Sequence, residues 1–156
     1  MTLRGTFLWI HVVFGTLWIG SALCFVLAAA VLDSESGERR EFAIRAAPVI
    51  NRIGLVAAVV VITSGLGNIW MAGRLTDFHF RPEFVDLLEG KVLLYGIMAV
   101  ALYASFRAAA KLSGGIEGEG AMRADAIETG RLARFHLVTA LSGALALMLG
   151  LWLAGS

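Results

Sequence analysis

Few residues in this chain have side chains that could do chemistry, and most of those stand inside or beside long apolar runs. His11 is followed at i+4 and i+7 by Gly15 and Trp18, so the three share one face of a helix. An imidazole can ligate a metal or a haem iron. A glycine one turn on leaves room for a flat ring, and an aromatic beyond it can form a wall. The plain alternative is a histidine hydrogen-bonded to a neighbouring helix, with Trp9 and Trp18 as packing residues. Lys91 shares a face with Tyr95 and Met98. It is either a cation placed for an anionic substrate or a long basic side chain snorkelling to the membrane surface. Asn68 and Met71 fall late in the second apolar run, and His79 sits in the aromatic, mixed-charge segment TDFHFRPEF. An ionisable group at membrane depth is costly to bury, which makes each one a candidate for function.

Other chemistries find no footing. The chain has no Gly-rich phosphate loop, no HExxH and no nucleophile elbow. Carboxylate pairs inside an apolar run are absent, which disfavours a proton-driven pump. A single cysteine, Cys24, excludes an internal disulfide framework and a Cys-cluster metal site. A net charge of +1 gives no reason to expect nucleic acid.

The elements that must position these residues are membrane spans. The 156 residues are 58% apolar or aromatic and only 16% charged, with a mean hydropathy of +0.79. Soluble domains run near ~45–50% apolar and ~25% charged. Phe7–Leu32, Ile53–Gly73 and Phe135–Ser156 carry no formal charge over 26, 21 and 22 residues. Each reaches the roughly 20 residues a spanning helix needs. Val92–Phe106 is shorter, but Leu87–Gly90 and Ala108–Ala110 extend it, with Lys91 and Arg107 in its flanks. The expectation is an all-α, up-down four-helix bundle in one domain, with spans near 7–32, 50–73, 87–110 and 133–154. The first run is too long for the apolar part of a signal peptide and reads as a retained helix. Glu38–Arg52 reads as an extension of the second helix, with Pro48 starting or kinking its spanning part. Ser113–Gly120 reads as a flexible loop, and Met122–Arg134 as a polar lead-in to the fourth helix. Gly54, Gly65, Gly67, Gly143 and Gly150 fit close helix packing.

Four spans put both termini on one face, here called X, together with the Gly73–Gly90 connection. The opposite face, Y, carries the other two connections. Arg4, Arg74, Arg81 and Lys91 belong to X. Arg39, Arg40, Arg45, Arg52, Arg107, Lys111, Arg123, Arg131 and Arg134 belong to Y. Nine against four favours Y as cytoplasmic, with both termini facing a periplasm or its equivalent across the inner (plasma) membrane. His11, Asn68, Met71, His79 and Lys91 then gather near X. His136 belongs near Y with Asn51, Arg52 and Arg134. His11 and His136 each lie early in antiparallel spans, so they stand roughly 20 Å apart along the normal and cannot share one iron. His136, with Ala140 and Gly143 on its face, fronts either a separate cofactor or a tight helix contact.

The first span, LWIHVVFGTLWIGSALCF, resembles the opening helix of small bacterial membrane proteins of the HemJ-like and copper-resistance-D-like group, with His11, Trp18 and Gly20 at matching places. LLEGKVLLYGIMAVAL is similar to the helix of that group with a lysine at its start, here Lys91. The resemblance implies haem b, with functional roles for His11 and Lys91, or else copper handling. The group's Leu-Pro-Arg motif is replaced here by ALCFVLAAAV, and its Asn-Glu-x-Pro motif by RFHLVTALSG. The resemblance therefore extends to cofactor binding and redox chemistry more than to protoporphyrinogen oxidation.

Three readings follow. In the first, His11 is an axial ligand of haem b, and Met71, His79 or Met98 supplies the other ligand or the position stays open. Lys91, Arg74 or Arg81 pairs with propionates or an anionic substrate. In the second, His11, His79 and Met71 bind copper. In the third, the chain is a structural or assembly subunit, and its polar residues only tie helices together. Its partners are lipid and either further membrane subunits or copies of itself.

Overall fold

The structure is a computed structural model and describes residues 3–32, 37–114 and 121–155. Four helices follow one another: α1 Leu3–Val31, α2 Glu38–Leu75, α3 Pro82–Gly114 and α4 Ala121–Gly155. All four contain stretches long and apolar enough to cross a membrane, and no strand occurs among the described residues. The protein is an all-α, multi-pass membrane bundle. Leucines, valines and isoleucines on the outer faces, among them Leu55, Val59, Ile62, Val100 and Leu141, are exposed on the bundle and suited to lipid.

Small residues build the interior. Ala22, Ala29, Ala43, Ala47, Ala57, Ala101, Ala108 and Ala146 are all buried. In lipid no hydrophobic force drives helices together, so association depends on backbones approaching closely over small side chains. The expected glycines mark these approaches. A methyl group on Gly143 of α4 would collide with the side chain of Ile19 of α1. One on Gly54 of α2 would lie 3.2 Å from both Trp18 Nε1 and a Leu102 methyl. α1 packs extensively on α2, and α3 on α4. The α1–α3 diagonal is open at the backbone, whereas α2 and α4 approach across the other one.

The helices run further than the spans. α2 starts at Glu38, as expected, and Pro48 lies inside it. α3 begins at Pro82, a residue suited to the first helical position because its missing N–H would have no partner there. The X connection between α2 and α3 thus shrinks from the expected Gly73–Gly90 to Thr76–Arg81. Ser113 and Gly114 belong to α3, and the rest of the expected glycine-rich loop lies outside the described residues.

Polar contacts hold the extensions on face Y. Arg40 of α2 pairs with Asp125 of α4 at 2.5 Å, and Glu128 receives Arg131 at 2.6 Å. Arg39 donates to the Leu32 carbonyl at the end of α1. On face X, Asp77 and Phe78 both take left-handed backbone angles (φ 49° and 59°), and the Phe78 ring folds over Gly73.

Candidate functional site

His11 lies on the part of α1 that faces α2, half-buried, and both ring nitrogens have partners. Nδ1 is 2.9 Å from the Val61 carbonyl and 3.1 Å from Ser64 Oγ. Ser64 Oγ itself lies 2.6 Å from the Val60 carbonyl, so its proton is directed into its own helix and its lone pair faces the imidazole. A carbonyl can only accept, so Nδ1 carries the proton. With the ring neutral, Nε2 keeps the lone pair, and Tyr95 of α3 donates its hydroxyl proton to it at 3.2 Å. The two rings meet edge to face, with centroids 6.2 Å apart. Gly65 makes the arrangement possible. A methyl there would stand 3.1 Å from His11 Cε1.

Lys91, one turn before Tyr95 on α3, is half-buried against α4. Its ammonium lies where a methyl on Gly150 would be 2.9 Å away. Four residues apart on α3, Lys91 and Tyr95 share one face of the helix. His11, Tyr95 and Lys91 therefore form one group at the X end of the bundle, drawn from α1 and α3 and backed by α2 and α4.

The remaining candidates divide. A methyl at Gly15, which is half-buried, would meet no other residue within 4 Å. Trp18 is buried at 3% exposure, packed on Gly54 and Leu102. Met71 and Arg74 line an open apolar cleft on the outer side of α1 and α2, with Phe7, Trp70 and Phe78. His79 and Arg81 are exposed in the X connection, and Asn68 is half-buried. The five residues expected to gather near X share that end, but only His11 and Lys91 join the group around Tyr95. Among the described residues no three His, Cys, Asp or Glu side chains assemble into a set able to hold a metal ion.

His136 lies elsewhere. Its ring packs on Phe25 at a tilt of 43° with centroids 4.4 Å apart, and Phe25 is fourteen residues beyond His11 on α1. At ~1.5 Å per residue this is about 21 Å along the helix. The two histidines occupy separate levels.

Sequence reasoning missed Val61, Ser64 and Ser105. A backbone carbonyl has no sequence signal. The two serines did carry one, as hydroxyls within otherwise apolar spans.

The donor set at His11 would suit a histidine that ligates a haem iron. A ligating histidine commonly donates its second ring N–H to a backbone carbonyl, which fixes the tautomer and aims the other nitrogen. The Nδ1–Val61 bond does this for Nε2. Tyr95 is the side chain that must turn away for Nε2 to bind anything else.

Fold and site together define a four-span integral membrane protein with a half-buried histidine–tyrosine–lysine group near one end of the bundle. No family model, curated protein or solved structure matches the chain.

Proposed function

We propose that this protein binds haem b through His11 near face X and works as a membrane redox protein. The observation that carries the reading is the Nδ1–Val61 hydrogen bond, which presents Nε2 as a ligand atom. Bound haem would supply one-electron chemistry. The chain's own residues aim the ligand (Val61, Ser64), gate it (Tyr95) and offer positive charge to a propionate or an anionic substrate (Lys91). Arg74 and Arg81, exposed at the X rim, are further partners for such groups. The resemblance of the first and third spans to the HemJ-like and copper-resistance-D-like group supports the same reading. The Lys/Arg asymmetry supports placing Y in the cytoplasm and both termini outside, and the resemblance supports the inner membrane of a bacterium.

A second reading has one observation in its favour. Both ring nitrogens of His11 already have protein partners. This suits a histidine that ties α1 to α2 and α3 in a subunit without its own cofactor, assembled with other membrane chains or with copies of itself.

A visible spectrum of the protein purified in detergent separates the two. A Soret band near one haem per chain supports the first reading. Its absence after expression with ample haem supports the second, while copper found by elemental analysis would overturn both.

A further inference from the structure

Two polar atoms deep in the Y half of the bundle are buried without a partner among the described residues: Asn51 Nδ2 and His136 Nε2. Asn51 is 0% exposed and His136 3%. The helix register sets them in one layer. Gly143 of α4 stands beside Met98 of α3. Seven residues toward Y from each, on antiparallel helices, come His136 and Ser105. The Ser105 hydroxyl lies 2.7 Å from Asn51 Oδ1, which places Asn51 of α2 in the same layer. Phe25 of α1 completes it, against the His136 ring.

We infer that this layer is a second polar site, separate from His11, that holds one water molecule between Asn51 and His136. The chemistry selects water. Ser105 engages one end of the Asn51 amide, and the other end faces inward whichever way the amide is turned. His136 Nε2 donates or accepts according to its tautomer. Only a ligand that both donates and accepts meets every combination. The other buried polar side chains among the described residues are Ser64, Ser105, Thr129, Thr139 and Ser142, none of them charged, so an ion would have no counter-charge. Trp18 and Leu102 pack on Gly54 three residues toward X from Asn51, and the Phe25 ring lies against His136 within the layer. A buried water typically makes about three hydrogen bonds to groups that would otherwise be orphaned. Asn51 and His136 supply two, and Ser105 Oγ, which also lies 2.8 Å from the Leu102 carbonyl, is the third polar atom of the layer.

The test is a water-to-amide magnetisation-transfer experiment on the Asn51 side chain, with the full-length protein in nanodiscs. The wild type is expected to show a cross-peak to a bound water. His136→Phe loses it, and His136→Gln, which keeps a polar end, retains it. Absence of the cross-peak in the wild type, or its survival in His136→Phe, overturns the proposal. A thermal double-substitution cycle reads the same site independently. Asn51→Leu and His136→Phe share one ligand, so the second substitution shifts Tm far less than it does alone. Additive shifts overturn the proposal.

Discussion

The Tyr95 hydroxyl reaches His11 Nε2 at 3.2 Å across the one diagonal of the bundle where the helix backbones do not touch. Two side chains thus bridge a gap that α1 and α3 leave open. The nitrogen they meet at is the one that the Val61 carbonyl leaves free to act as a ligand. Structure and chemistry compete for the same lone pair.

That competition gives the first prediction. Tyr95→Phe removes the donor and keeps the ring. The bundle should lose about 1 kcal/mol, the usual net worth of one hydrogen bond. Haem retention should stay equal or rise, because nothing then occupies Nε2. Unfolding in detergent and the haem-to-protein ratio measure the two effects. Loss of haem in Tyr95→Phe would make the tyrosine a supporting residue rather than a gate.

Sequence and structure agree where the signal is local. Uncharged runs of spanning length define the four helices, and the paired-charge texture of Glu38–Arg52 and Met122–Arg134 gives their extensions. The depth separation of His11 and His136 follows from counting residues along antiparallel helices. Contacts set by helix register were not legible. Nothing near Val61 in the sequence shows that its carbonyl faces His11. Nothing near Trp18 in the sequence shows that it packs over Gly54 of α2. Tyr95 was placed on the face of Lys91, yet its partner on α1 depends on how two non-touching helices are held by the other two.

Gly143 is a packing constraint. Gly143→Ala forces its methyl into Ile19, and overpacking of this kind costs about 1–3 kcal/mol. Ile19→Ala in the same chain should recover most of the loss, since it removes the atoms in the way. A double variant no more stable than Gly143→Ala alone would mean that α1 and α4 do not meet at this level.

The face-Y extensions are joined by Arg40 and Asp125, whose side chains are 43% and 13% exposed. A partly exposed pair is screened and contributes roughly 0.2–1 kcal/mol. Arg40→Ala should therefore lower Tm only slightly. The charge reversal Arg40→Asp with Asp125→Arg should restore it, as read by circular dichroism. A loss of several kcal/mol would show that the pair is buried in an assembly.

On face X, Gly73→Ala would place a methyl 2.5 Å from the Phe78 ring, where the backbone of Asp77 and Phe78 is already left-handed. The turn should open and expose the aromatic cluster, raising protease cleavage within Thr76–Arg81. Phe78→Ala added to Gly73→Ala should return cleavage to the wild-type rate. Unchanged cleavage in Gly73→Ala would show that the ring does not pack there.

The central claim is that His11, and not His136, presents a ligand to haem. The most direct measurement is the haem-to-protein ratio of His11→Gly, with and without added imidazole, beside that of His136→Phe. The account predicts a ratio near zero for His11→Gly, recovery when imidazole enters the cavity, and a ratio like the wild type for His136→Phe. A wild-type ratio in His11→Gly, or loss only in His136→Phe, would contradict it.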